Sequence, residues 1–292
     1  MSRSRQRLRR LGRCAAGLAA CLVVALHGAG CFVLPRVDRL DAQAPPATLA
    51  THGFTLHHHV APAADARWNV VFIHGTPASA GIWHAQFTRP FPQANLVAYD
   101  RPGFGASRPA VRAPRLAGQV AALTHLLAAL PDRPTILVGH SYGGPVVLLA
   151  AVELPALVAG VVLVGASVDP AQERPFWVQH AFGVRATSWL LPGWLRQCNR
   201  ELLTLKADLA ALEGKLPQLC VPVVMLHGGR DRQVPVANVA YLRERLGAAG
   251  LGGRLVEVVH PDYDHFIPWE HPEAVAQALE RLTRELDSGP GR

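Results

Sequence analysis

The clearest chemical signal in the chain is Gly139-His140-Ser141-Tyr142-Gly143-Gly144. It follows a short apolar run at 135–138 and precedes a stretch with helical spacing. A G-x-S-x-G pattern in that setting describes a sharp strand-to-helix turn. Glycine at 139 and 143 lets strand and helix cross closely, and the turn lifts Ser141 Oγ clear of the sheet in a strained conformation. Pro145 falls in the first helical turn, where its missing N–H is not needed. A serine presented this way suits a nucleophile. The plainer alternative is a tight turn carrying an incidental serine. Serine is a weak nucleophile at its own pKa, so the chemistry also needs a base to take its proton and a group to hold that base.

Two other patterns invite chemistry and carry it less well. His57-His58-His59 suggests a metal, but successive strand residues point to opposite faces, so at most His57 and His59 share one. No carboxylate or cysteine stands near them in sequence to complete a site, so no metal is expected. Neither a G-x-G-x-x-G nor a P-loop pattern occurs, and no nucleotide cofactor is implied.

The elements that must hold Ser141 follow from the apolar spacing. Strands are predicted at 54–60, 70–73, 96–99, 135–138, 161–164, 223–226 and 255–259, several of them near-continuous apolar runs suited to burial on both faces. Helices are predicted at 116–130, 142–152, 237–246 and 273–286. This alternation predicts an α/β fold: a mostly parallel central sheet with helices on both faces. Active groups in such sheets gather beyond the carboxyl ends of the strands.

With the elbow in that context, the chain resembles the α/β-hydrolase fold superfamily over roughly residues 54–286. The resemblance implies a chain order of nucleophile, acid, then histidine. Asp231, in Gly228-Gly229-Arg230-Asp231-Arg232-Gln233-Val234-Pro235 after a late strand, stands where the acid belongs. Asp169 is the alternative, and an Asp231 that merely caps the next helix is the plainer reading. His265, in Pro261-Asp262-Tyr263-Asp264-His265-Phe266, stands where the base belongs, and Asp264 is read as loop solvation. The turn His74-Gly75-Thr76-Pro77 after the strand at 70–73 implies an oxyanion hole built from the Thr76 and Tyr142 amides. His74 is read as a turn-stabilising residue. The run from Tyr99 to Ser107 also matches the family, in a supporting loop where Asp100 is structural.

The same resemblance places a small helical cap at about 165–219, before the strand that precedes the acid. Phe176, Trp177, Phe182, Trp189 and Trp194 lie there. Trp177, Phe182, Trp189 and Trp194 are expected to line a substrate pocket, or else to form the small core of the cap itself. The activity implied is ester hydrolysis on a small-molecule substrate through an acyl-enzyme. Dehalogenase and epoxide-hydrolase relatives need an aspartate at the elbow, which Ser141 argues against. Amide or carbon–carbon hydrolysis, cofactor-free haloperoxidase chemistry and a catalytically silent binding protein stay open.

Net charge is +8 over 292 residues, but its origin excludes nucleic acid as a partner. Six arginines lie in the first 13 residues, which contain no acid. That leaves 23 basic against 21 acidic side chains in the other 279, whereas a nucleic-acid binder keeps its excess on the folded body. Residues 14–34 carry no Asp, Glu, Lys or Arg. A basic head followed by such a run reads as a membrane anchor or signal segment at 1–34, with the body exported. Cys31 after Gly28-Ala29-Gly30 partly resembles a lipoprotein cysteine, and so does Cys21. Residues 35–50, with Pro45-Pro46, read as a linker, and 51–292 as the hydrolase domain. Cys198 and Cys220 are two isolated thiols or, in an exported body, a disulfide.

Overall fold

The computed structural model describes residues 38–288 apart from 52, 90, 92, 110–112 and 176. The leader expected at 1–34 and Phe176 lie outside the described residues. Eight strands form one sheet in the order β1-β2-β4-β3-β5-β6-β7-β8. They are β1 (Pro46–Thr51), β2 (Phe54–Ala61), β3 (Trp68–Ile73), β4 (Ala94–Tyr99), β5 (Thr135–His140), β6 (Val158–Val164), β7 (Val223–Gly228) and β8 (Leu255–His260). β2 runs antiparallel to both β1 and β4, and every other pairing is parallel.

The period-two alternation along the strands divides the core between the two faces. Val71, Ile73, Leu137, Val161 and Met225 face one side, against α3 (Leu116–Ala128), α4 (Gly143–Glu153) and α8 (Ala237–Ala248). Val70, Phe72, Ile136, Val162 and Leu226 face the other, against Trp83, Phe87 and the amphipathic α10 (Pro272–Asp287). α1 (Asp38–Asp41) and α2 (His84–Thr88) also lie on that second side, and α9 (Ile267–Glu270) precedes α10. This is the fold predicted, including strands buried on both faces at the centre.

The linker expected over 35–50 is corrected in its described part. Pro46–Thr51 pairs along its whole length with β2, and Leu40 and Ala44 are buried. Pro46 starts an edge strand, the one place in a sheet where its missing N–H costs nothing. Between β6 and β7 the chain forms the cap: α5 (Trp177–Gly183), α6 (Arg185–Ser188) and α7 (Gly193–Glu213). Cys198, buried in α7, and Cys220, exposed, are both free thiols, so the disulfide alternative is not formed. Among the described residues no helix is long and apolar enough to cross a membrane.

Candidate active site

Ser141, Asp231, His265 and Thr76 all lie in the turns that follow β5, β7, β8 and β3, at the carboxyl edge of the sheet. Ser141 adopts φ +54°, a left-handed backbone that a residue with a side chain takes only under constraint. Its N–H donates to the Val164 carbonyl at 3.0 Å, and its carbonyl accepts the Gly144 N–H at 2.9 Å. Gly143 must lack a side chain, because a Cβ there would collide with the Ile73 carbonyl. The elbow is therefore clamped between β3 and β6.

Asp231 and His265 come together as a pair. The ring Nδ1 of His265 lies 2.7 Å from Asp231 Oδ2, and both residues are buried. The other oxygen, Oδ1, accepts the backbone N–H groups of Gln233 at 2.9 Å and Val234 at 2.8 Å. With the carboxylate fixed in this way, the proton on His265 sits at Nδ1 and leaves Nε2 free to accept one. Gly165 takes a left-handed backbone at φ +51°, which favours glycine, directly beside the pair: its Cβ position lies 3.4 Å from both Asp231 Oδ2 and His265 Nδ1, in ordinary contact.

Asp169 does not meet the histidine. Its Oδ1 accepts the Ala171 N–H at 2.8 Å and its Oδ2 the Gln172 side-chain amide at 3.2 Å. Asp264 accepts the Phe266 N–H at 2.8 Å, the loop role expected of it. Asp100 is structural, as expected. It accepts N–H groups from Ala80 and Ala106, each at 2.8 Å, and faces His57 Nδ1 at 3.0 Å. Burial works to raise its pKa, but these hydrogen bonds prevail and hold the carboxyl below its usual value. The same contact, through its hydrogen bond, raises the pKa of His57. His59 Nδ1 is taken by the Ala44 carbonyl at 2.8 Å. Among the described residues no group of three or more potential metal ligands assembles.

Four contacts around the site were not anticipated from the sequence. His140, inside the elbow motif itself, donates from Nε2 to the His265 carbonyl at 2.9 Å, and its ring packs against the His265 ring at a tilt of 43° with centroids 4.7 Å apart. Burial, and then the neighbouring His265, push the His140 pKa well below 6.5, so this ring stays neutral. His227 is likewise kept neutral by burial, and its Nε2–H donates to the Val234 carbonyl at 3.0 Å. Arg101 and Glu201, both fully buried, form a bidentate ion pair at 2.7 and 3.1 Å. Arg101 also donates to the carbonyls of His74 at 2.8 Å and Gly75 at 3.0 Å. The loop after β4 thus fastens the turn that carries Thr76 to cap helix α7. His74 completes that turn. Its Nδ1–H donates to the Gly75 carbonyl at 2.7 Å and its Nε2 accepts the Arg101 N–H at 3.0 Å, while burial lowers its pKa to about 3.

The aromatic residues of the cap do not all do what was expected. Trp177 is 80% and Trp189 67% exposed, and side chains so wetted do not wall a pocket. Helices of seven and four residues have too little packing surface to bury them. Phe182 and Trp194 are half-buried. Tyr142 is buried and its hydroxyl donates to the Pro114 carbonyl at 3.1 Å.

Comparison with known proteins agrees with this geometry. Residues 70–278 match the model of the alpha/beta hydrolase family. Protein ABHD8 of Mus musculus is 30% identical over 257 residues, 74% of this chain and 55% of the relative. The chain thus spans little more than half the length of that relative. Strigolactone esterase D14 of Arabidopsis thaliana is 25% identical over 247 residues, covering 71% of this chain and 89% of the esterase. Among solved structures, a membrane phospholipase A superposes with a TM-score of 0.65 at 22% identity, covering 99% of this chain and all of that one. A hydrolase from Pseudomonas aeruginosa gives 0.60 at 19% identity, covering 82% of this chain and 98% of the other. With its sheet order, its serine elbow and a family match across most of its length, the chain belongs to the alpha/beta hydrolase family.

Proposed function

We propose that the protein is a serine hydrolase that cleaves a carboxylic ester of short to medium acyl chain through a covalent acyl-enzyme. The observation that carries this reading is the Asp231–His265 contact of 2.7 Å at the same sheet edge as the strained Ser141. His265 Nε2 takes the Ser141 proton as Oγ attacks the ester carbonyl, and Asp231 stabilises the imidazolium that forms. The Thr76 and Tyr142 amides receive the developing oxyanion, each contributing roughly 3 kcal/mol by the measure of single-donor deletions. His265 then returns the proton to the departing alcohol. Water repeats the sequence in reverse and releases the acid. No step needs a metal or cofactor. The match to an esterase along most of its length supports an ester over other acyl substrates.

Chain-length preference follows from the cap. Residues 176–195 contain one charged side chain, Arg185, and Phe182, Leu191 and Trp194, which are buried or half-buried there, are apolar, so a charged acyl group beneath the cap would lose its water with little to pair with. An apolar chain gains about 0.8 kcal/mol per buried methylene until the space is full. In a series of nitrophenyl esters, kcat/KM is expected to rise from acetate, peak at about four to eight carbons and fall beyond. EDTA should leave it unchanged. A flat profile, or a preference for amides, charged acyl groups or carbon–carbon cleavage substrates, would overturn the ester assignment.

The body works outside the cytoplasm, held to the membrane by residues 1–34. This rests on the arginine-rich head and the uncharged run behind it. A reporter joined after Ala50 should be active only when exported, and cytoplasmic activity of that fusion counts against the assignment. Cys31→Ser separates lipidation, which it would block, from an uncleaved anchor, which it would leave intact.

A further inference from the structure

The cap carries a surface that hydrolysis of a dissolved ester does not use. Seven large apolar side chains are conspicuously exposed among the described residues, and four of them fall within thirteen consecutive positions. They are Trp177 at 80%, Val178 at 40%, Val184 at 54% and Trp189 at 67% exposed. Trp177 and Val178 lie in α5, while Val184 and Trp189 flank α6, and the two helices are tied together by the Thr187 hydroxyl, which donates to the Ala181 carbonyl. α5 buries none of its residues and α6 only Ser188, so these helices present their side chains outward. An apolar cluster of this kind on a water-soluble face marks a surface that another phase or partner covers.

Charge says what covers it. From Arg174 to Arg200 the chain holds four arginines and no aspartate or glutamate. Arg174, Arg185 and Arg200 are exposed, and none of the four forms an ion pair among the described residues. Elsewhere in the folded body acids and bases nearly balance, so the excess is local. Exposed tryptophan and valine side chains with arginines before, between and after them in the chain, and no acid among them, match the interface of an anionic bilayer. Tryptophan favours the headgroup level, and arginine keeps its charge at the phosphates while its stem lies along the apolar layer. We infer that α5 and α6 form an interfacial docking surface which seats the cap on an anionic lipid membrane. The ester is then taken from that lipid surface rather than from bulk water, an extension that rests on the ester reading above. The docking itself does not.

The sequence supplies a selective probe. Residues 1–37 contain no tryptophan, so quenching of tryptophan fluorescence by brominated acyl chains reports on the folded body and not on the leader. Full-length protein is reconstituted in vesicles of brominated phosphatidylglycerol or brominated phosphatidylcholine. Strong quenching is expected in the anionic vesicles, weaker quenching in the zwitterionic ones, and a decline at high salt. Trp177→Ser/Trp189→Ser should remove roughly half or more of it, and Ser141→Ala should leave it intact. Arg174→Gln/Arg185→Gln/Arg200→Gln should lower kcat/KM on an ester embedded in anionic vesicles by roughly tenfold or more, while a water-soluble ester is turned over as before. Quenching that persists undiminished in the tryptophan variant, or that is equal in both lipids and blind to salt, overturns the inference. So does an absence of quenching, the result expected if the same patch serves a protein partner. Quenching as predicted with no hydrolysis of any ester leaves the docking surface standing and sinks the ester assignment instead.

Discussion

A serine with a left-handed backbone and an imidazole with its inner nitrogen committed to a carboxylate make unequal demands on mutation. Ser141→Ala removes the attacking atom, so it should abolish fluorophosphonate labelling and lower kcat by about 10⁴ to 10⁶. Asp231→Asn keeps the shape but stops fixing the histidine tautomer, and a loss of roughly 10² to 10⁴ is expected because part of the population retains the productive form. Asp169→Asn should be mild, since its carboxylate serves only Ala171 and Gln172. A severe Asp169→Asn beside a mild Asp231→Asn would reverse the assignment. Ser141 was readable from the strand end and glycines around it, whereas Asp231 and His265 came from the resemblance, which implies their order along the chain. His140 was also within reach: it is the residue just before Ser141, and a histidine in that turn has a carbonyl to hold. Arg101 and Glu201 were not, because 100 residues separate them and nothing local to either names the other.

At the level of elements, one helix of the cap is held to the sheet by charge. Arg101 lies in the loop after β4 and Glu201 in α7, and Gln119 of α3 donates to Glu201 at 3.0 Å. Removing one member strands the other in a dry environment, so Glu201→Ala should cost about 3–5 kcal/mol, visible as a lowered urea midpoint. Arg101→Met/Glu201→Leu should recover much of that stability. Activity should stay low in the double variant, because the His74 and Gly75 carbonyls have still lost their donor. If the double variant is no more stable than Glu201→Ala, the pair is not what anchors α7. The central strands were legible because burial on both faces leaves an uninterrupted apolar run. β1 was hidden by its own position: an edge strand that opens with proline and is largely exposed carries the composition of a linker. α5 and α6 are too short for periodicity to state which way their tryptophans face.

Acid stability is a property of the molecule as a whole. His74, His140 and His227 are buried neutral, each with its pKa below 6.5 because burial disfavours the charged ring. The unfolded chain binds protons at these sites near pH 6.5, and the folded chain resists them. Their contribution is therefore complete above pH 6.5 and lost as pH falls below it, down to about 3 for His74. Each histidine should make stability fall by about 1.4 kcal/mol per pH unit in that window. His57, raised by its hydrogen bond to Asp100, acts in the opposite sense but stands alone, and the half-buried His58 is lowered by burial like the other three. Urea unfolding of Ser141→Ala at a series of pH values should show the decline setting in near pH 6.5. A decline beginning only below pH 4 would mean that carboxylates, not histidines, govern it.

The Arg101–Glu201 pair also divides the cap into two parts held to different degrees. Swinging α7 away from the sheet would break this bidentate pair together with the Gln119 hydrogen bond to Glu201. Neither α5 nor α6 has such a tether: they bury a single side chain between them and hang on α7 through Asn199, which donates to the Gln179 carbonyl at 2.9 Å. The cap is thus firmly held at α7 and lightly held at α5 and α6. The stretch of the cap least held by the rest of the molecule is the one that wears its tryptophans on the outside.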